Sequence, residues 1–351
     1  MPSMTNQQTI LVTGGTGFIG SHTVVQLIQA GYRVHIVDDL SNSHGNVIDA
    51  IAQITGIRPG FDCFDLCDPI QTNALFDEVK PQAVIHFAAK KLVGESVQNP
   101  LLYYKTNLQS LINVVESSLK HSCHNIVFSS SCTVYGQPEQ NPVSEQSPLK
   151  KPESPYGNTK RICEEILEDA TKVYPLRVVS LRYFNPVGAH PSALIGEYPL
   201  GAPSNLMPVL TQTAIGKRAG FNIFGNDYQT PDGTCIRDYI HVVDLADAHV
   251  AAINLLMKKQ ETSVYVIYNI GTGSGVSVKQ MVEAFEQVNG LRLNYQVAPR
   301  RVGDVEQVWA DNQLALQELG WSPKLGLEAM VASAWKWEQQ LNITEKNKSS
   351  S

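Results

Sequence analysis

No stretch of this sequence approaches the roughly 18 consecutive apolar residues that a membrane-spanning helix needs, which argues against a membrane-embedded protein. Basic residues do not predominate either. The 27 Lys and Arg against 33 Asp and Glu leave a net charge of −6, a poor basis for a nucleic-acid or anionic-membrane surface. Cysteine is sparse: of the six, at 63, 67, 123, 132, 163 and 235, only Cys63 and Cys67 lie close together. No second pair completes a zinc set, so no metal site is expected, and reduced, mostly buried thiols are. The opening MPSMTNQQ has neither the basic start nor the apolar core of a signal peptide. Internal repeats and low-complexity segments are lacking too. Together these absences predict a cytoplasmic globular protein.

Short β-branched runs dominate the first half, at 10–12, 34–37, 83–87, 125–129 and 178–181. They do not alternate polar with apolar, which suits strands buried on both faces. Helical patterns near 18–30, 71–79, 103–121 and 157–174 fall between them and supply crossovers. The expected fold is therefore α/β, a doubly wound, Rossmann-like parallel sheet. After Asn185 the texture changes. Residues 186–206 are rich in Pro and Gly without periodicity, and loops of that length are usually functional or disordered. The expected division is a dinucleotide-binding domain over 1–185, a smaller α/β substrate lobe over 186–342 and a disordered tail over 343–351.

The most informative stretch is TILVTGGTGFIGS, residues 9–21. A strand pattern runs into Gly14, Gly17 and Gly20 and straight on into a helical pattern that starts at Phe18 and Ile19. Glycines there permit a tight turn, close backbone approach to a pyrophosphate and close helix–strand packing. The helix N-terminus offers free N–H groups to phosphates. A glycine triplet alone also fits a purely structural turn. Here an acidic pair, Asp38 and Asp39, closes the next strand. An acid at that place accepts from ribose hydroxyls and repels a 2′-phosphate, favouring NAD over NADP.

Tyr156 and Lys160 form Tyr-x-x-x-Lys at the start of a helical pattern, which places both on one helix face. An ammonium beside a phenol is expected to pull the phenol down from its ordinary value of about 10. Tyr156 is then a general base toward a hydroxyl, Lys160 is its tuner and a ribose anchor, and both belong to the expected cofactor site. Upstream, IVFSSSCTVYG places Ser129, Ser130 and Ser131 where a strand ends. In an open α/β sheet that edge faces the ligand crevice. Ser131 is the hydroxyl assigned to hold the substrate oxygen, although serines after a strand also serve as ordinary turn residues.

The glycine fingerprint, SSS-x-T-V-Y-G, Tyr-x-x-x-Lys and RYFNPVGAHP together resemble the extended short-chain dehydrogenase/reductase family. FAAKKLVGESVQNPLLYY, NLMP, FGNDYQTPDGTCIRDYIHVVDLADAH and APRRVGDVEQVWAD resemble its members that invert C4 of UDP-hexoses. The likeness covers about residues 8–340. One departure is Ala89-Lys90, where glycine-then-leucine usually precedes the lysine. It places an extra charge beside Lys91.

The resemblance implies a hidden redox cycle that interconverts UDP-glucose and UDP-galactose. In it Tyr156 takes the 4-hydroxyl proton, C4 gives a hydride to tightly held NAD⁺, and the ketose turns over before the hydride returns. A swing of that kind needs strong nucleotide binding and weak sugar binding. On the cofactor side the resemblance implies Phe18 and Ile19, Asp65 and Leu66 at the adenine, Phe87 and Lys91 at phosphates and ribose, Asn107, and Phe184 at the nicotinamide. On the substrate side it implies Arg237 and Arg301 at the pyrophosphate and Asp304 at the uridine ribose. Asn185 and Asn205 would contact phosphate or sugar, Phe224 and Tyr239 would flank uracil, and the backbone of Leu206 would face the ligand. Val308 replaces a bulky residue of the family pattern, which implies room for a 2-acetamido group. The resemblance further implies a homodimer through the helices near 103–121 and 157–174.

A related 4,6-dehydratase needs a carboxylate pair after the strand-end threonine, and Ser131-Cys132-Thr133-Val134 has none. A 4-reductase would use exchangeable NADPH, which Asp38 and Asp39 disfavour. An NAD-sensing scaffold would have no need of Ser131, Tyr156 and Lys160, all present here.

Overall fold

A computed structural model describes residues 7–301 and 304–349. Residues 1–6 and 350–351, which belong to the expected first domain and tail, lie outside the described residues. So do 302–303 within APRRVGDVEQVWAD.

The chain alternates β1 (Thr9–Thr13), α1 (Phe18–Gln29), β2 (Arg33–Val37), α2 (Val47–Thr55), β3 (Gly60–Asp62), α3 (Pro69–Val79) and β4 (Ala83–His86). There follow α4 (Val93–Gln98), α5 (Pro100–Lys120), β5 (Asn125–Ser131), a 3₁₀ turn (Cys132–Tyr135), α6 (Pro155–Val173) and β6 (Arg177–Tyr183). The helix starts obey capping chemistry. Asp68 accepts from the Ile70 and Gln71 amides with Pro69 in the first turn, and Ser154 accepts from Gly157 ahead of α6.

The second half contributes β7 (Asn185–Val187), α7 (Leu206–Ala214), β8 (Phe221–Phe224), β9 (Ile236–Arg237), β10 (Tyr239–His241), α8 (Val242–Lys258) and β11 (Val264–Ile270). Then come β12 (Val276–Ser277), α9 (Val278–Asn289), β13 (Tyr295–Ala298), β14 (Gln307–Val308), a π turn (Ala315–Leu319) and α10 (Leu327–Ser349).

Seven strands build one sheet in the order β11-β6-β5-β4-β1-β2-β3, with every neighbouring pair parallel. All residues of β1, β4 and β5 are buried, as their unbroken apolar runs require. The strand order reverses direction between β1 and β4. A ligand crevice is therefore predicted outside their carboxyl ends.

Two expectations need correction. The chain does not leave the sheet for good at 185/186: β11 adds the seventh strand beside β6, and α8 packs on α1. The apolar stripe of α8 (Leu245, Ala248, Ala252, Ile253, Leu256) joins the same core as Val24 and Leu27 of α1, so roughly 242–270 belong to the large domain. The smaller lobe is built from α7, α9, α10 and short two- and three-stranded sheets around Leu210, Phe285 and Val331. Finally, the expected disordered tail is helical through Ser349, because α10 continues past Leu341, which is buried, and Tyr198 bonds Glu345 (2.9 Å).

Candidate active site

The dinucleotide turn is shaped by close approach. Gly14 takes φ +68°, and a Cβ there would sit 2.8 Å from the Ala88 amide nitrogen. At Gly20 a Cβ would collide with the Gly14 carbonyl oxygen. Gly17 caps α1 with no side-chain bond to the first-turn amides, so these are left for a ligand. A cleft of about 350 Å³ opens here, lined by Gly14, Gly17, Phe18, Ile19, Gly20, Asp38 and Asp39. Asp65, Leu66, Phe87 and Lys91 form its further wall, and Tyr156 and Lys160 stand at one end. The sequence reading thus named just under half of this wall. It missed Ser41, Asn42 and Ser43, polar residues in an aperiodic loop after β2 that carry no signal until the loop folds over the turn.

Asp38 is buried and already accepts three bonds, from the Thr16 amide (3.1 Å), the Leu40 amide (3.0 Å) and the Ser43 hydroxyl (3.0 Å). A carboxylate has about four acceptor sites, so it shapes this loop and keeps little capacity for a ribose. Asp39 is exposed and takes one bond, from Ser41 (2.9 Å). Asn107 does not line the cleft. Its amide accepts from the Lys90 N–H (2.8 Å) and donates to the Lys90 carbonyl (3.1 Å) and the Thr159 hydroxyl (3.0 Å), bracing the wall from behind. Phe184 is also outside the lining. It is buried with Val134, Tyr135 and Val308.

Ser131 ends β5; its Oγ accepts from the Thr133 amide (3.2 Å) and lies close enough to the Tyr156 phenol to pull it down. Lys160 is buried and donates to the Ser129 carbonyl (2.6 Å), with its Nζ 6.0 Å from the Tyr156 ring centre. One turn on, Glu164 forms a buried ion pair with Arg182 of β6 (2.6 Å) and bonds Ser130, locking α6 against the strand ends.

The electrostatics differ from the expectation. Burial pushes the Tyr156 phenol up to about 12, against a smaller downward pull from Ser131. Burial likewise pulls Lys160 down to about 8, partly opposed by Cys163 and Glu164. The desolvation of two enclosed groups outweighs their spacing on the helix, and the ammonium is aimed at a carbonyl rather than at the phenol.

A second cavity of about 710 Å³ lies in the smaller lobe. Asn185, Asn205, Leu206, Phe224, Arg237, Tyr239, Arg301 and Asp304, eight of the ten residues expected at the substrate, line it. Asp304 binds Arg301 by two bonds (3.1 and 2.6 Å) and lies 3.9 Å from Arg237. The Arg301 guanidinium stands 5.8 Å over the Phe224 ring. The Asn185 Oδ1 is buried without a partner, an acceptor held for something else.

The other two lie outside this cavity: Ser131 lines neither it nor the cofactor cleft, and Val308 packs on Phe184 and Tyr135. Sequence reasoning missed Arg218, whose Nε is buried without a partner in the same cavity. The only signal was a basic pair, Lys217-Arg218, ahead of β8. With Arg218 the lining holds three arginines against Glu197 and Asp304, a balance that suits an anion. A third cavity of about 300 Å³ joins the two, sharing Gly17, Phe18 and Lys91 with the cleft and Glu197 and Asn205 with the larger cavity. Among the described residues no cluster could hold a metal, and no helix is long and apolar enough to cross a membrane.

A family model described as GDP-mannose 4,6 dehydratase matches residues 11–334. The chain is 48 % identical over 330 residues to the UDP-glucose 4-epimerase of Bacillus subtilis, covering 94 % of this chain and 96 % of that one. Its fold matches the epimerase of Stenotrophomonas maltophila, crystallised with NAD and formylated UDP-arabinopyranose, with a TM-score of 0.93 at 44 % identity over 96 % of this chain and all of that one. The epimerase of Bifidobacterium longum, in complex with NAD⁺ and UDP, matches with a TM-score of 0.91 at 42 % identity over 95 % and 98 % of the two chains. With likeness of this extent across both cavities, the chain belongs to the UDP-glucose 4-epimerase family of NAD-dependent Rossmann-fold enzymes.

Proposed function

We propose that this protein interconverts UDP-glucose and UDP-galactose by transient oxidation at sugar C4. The observation that carries the proposal is Tyr156 and Lys160 in the wall of a glycine-turned cleft, with Ser131 beside Tyr156, joined to an arginine-rich cavity large enough for a nucleotide sugar. The uncapped first turn of α1, the glycine cradle and the exposed Asp39 after β2 fit NAD. NAD, when bound, supplies the hydride acceptor and donor for C4.

The protein's own residues move the proton and hold the substrate. Ser131 donates to the Tyr156 oxygen and stabilises the phenolate as Tyr156 exchanges a proton with the 4-hydroxyl. A phenol raised to about 12 by burial is a strong base once ionised, and the Ser131 hydroxyl offsets part of that cost. Arg237, Arg301 and Arg218 hold the diphosphate through charge-assisted bonds. The sugar, without comparable charged partners, is free to turn and present its other face.

The same reading makes the enzyme a cytoplasmic homodimer. Six free cysteines support a reducing compartment. The exposed Val97 and Leu101 at the α4–α5 corner support a self-association face.

The family pattern at 308, where valine stands in place of a bulky residue, extends the reading to the N-acetylhexosamine pair. Val308→Tyr should lower turnover of UDP-N-acetylgalactosamine relative to UDP-galactose at least about tenfold. An unchanged ratio would remove Val308 from the account.

The test of the main proposal is conversion of UDP-galactose by the purified protein with no NAD added, followed by NMR. Turnover is expected. No conversion, even after NAD is supplied, would overturn the proposal.

A further inference from the structure

We propose that Glu197 is a positioning residue of the nucleotide-sugar site, one that fixes the amide orientation of Asn205 and ties it to Lys91 across the wall between the two cavities. The proposal rests on the functional reading above.

The Glu197 backbone is pinned from three directions. Trp337 Nε1 donates to its carbonyl (3.0 Å), and the preceding Gly196 lies so flat against the Trp337 ring that a Cβ would clash. The following Tyr198 stacks on His44 of the large domain, with ring centres 4.0 Å apart. The side chain leaving this rigid point is 12 % exposed. Its Oε1 accepts from Asn205 Nδ2 (2.6 Å) and lies 3.9 Å from Lys91 Nζ. Lys91 lines the cofactor cleft and Asn205 the nucleotide-sugar cavity, so the three side chains run from one site into the other.

The chemistry explains why the residue is an acid. A carboxylate only accepts, so it can bond Asn205 solely through the amide nitrogen. That leaves the Asn205 carbonyl oxygen and one N–H for a ligand, in a fixed arrangement. Glutamine at 197 could donate as well as accept, and Asn205 would then be free to flip. Asn205 also sits at the N-cap of α7 without capping that helix, so its amide is held by Glu197 alone among the described residues. Lys91 keeps the acid from repelling the diphosphate. A buried carboxylate kept this close to an anion site is costly unless so compensated.

The experiment compares wild type, Glu197→Gln, Asn205→Ala and the double variant as purified holoenzymes. It reads kcat and KM for UDP-galactose and, independently of turnover, UDP-glucose affinity by calorimetry. Glu197→Gln should raise KM and weaken UDP-glucose binding about five- to tenfold, with kcat within about twofold. The double variant should be no weaker than Asn205→Ala, because Glu197 acts through Asn205. Glu197→Asp keeps the charge but withdraws it from Asn205, and it should show the same rise in KM. Independent, multiplying effects would overturn the proposal. So would a Glu197→Gln variant that loses thermal stability and kcat while Glu197→Asp matches wild type, since the residue would then be merely structural. A wild type that neither turns over nor binds these sugars would fail the functional reading itself.

Discussion

The two cavities recognise their ligands by different means. In the cofactor cleft most of the shape is backbone: a turn in which Gly14 and Gly20 have no room for a methyl group, an uncapped helix start, and strand ends fixed by a parallel sheet. Side chains there serve largely to hold that backbone still, as Asp38 and Asn107 do. In the nucleotide-sugar cavity the strands are two to four residues long and recognition falls to charged side chains that pair with one another, Arg301 and Arg237 with Asp304. Backbone recognition is rigid and all-or-none, whereas side-chain recognition is graded. That division suits an enzyme that must retain its cofactor and hold a nucleotide while releasing one face of a sugar to present the other.

Substitutions should therefore be steep on the first side and shallow on the second. Tyr156→Phe should cut kcat about a thousandfold or more while leaving bound NAD unchanged, with initial rates and the absorbance of released cofactor as readouts. Loss of cofactor together with rate would instead make the tyrosine part of the binding wall. Gly20→Ala should lose most of its copurifying NAD, because the added methyl meets the Gly14 carbonyl. Full retention would show that this turn can yield.

Acid sharpens the comparison from the side of stability. Burial holds His22 and His86 down to about 3 and His249 to about 4, and all three belong to the large domain. The native state keeps them neutral, and the unfolded chain protonates them below about 6.5. Each contribution is fully present above that value and is lost as pH falls toward 4, at up to about 1.4 kcal/mol per pH unit per histidine. The thermal midpoint should fall steeply between pH 6.5 and 4.5, and a flat profile would contradict it. On the shallow side, Asp304→Asn frees Arg301 and Arg237 from their shared partner and should weaken UDP binding only about three- to tenfold by calorimetry.

The sheet and the cofactor wall were readable because their signals are local. Unbroken apolar runs make buried strands, and glycines followed by a helix pattern make the turn. The return of 242–270 to the large domain was not, since no local signal tells which sheet edge Val264–Ile270 will join. The short β3 and α2 were missed for want of length. Arg218 and Glu197 were missed because each gains meaning only from a partner, or an absent partner, far along the chain or across the fold. The direction of the Tyr156 shift was also beyond the sequence, for spacing places the ammonium on the right face but says nothing of how much water the phenol loses.

The most direct test of a rigidly held nucleotide and a turning sugar is to supply UDP-galactose deuterated at C4 and to examine C4 of the UDP-glucose formed. The account predicts that the deuterium is retained at C4, because the hydrogen leaves and returns without escaping the site. Loss of the label to solvent would contradict it.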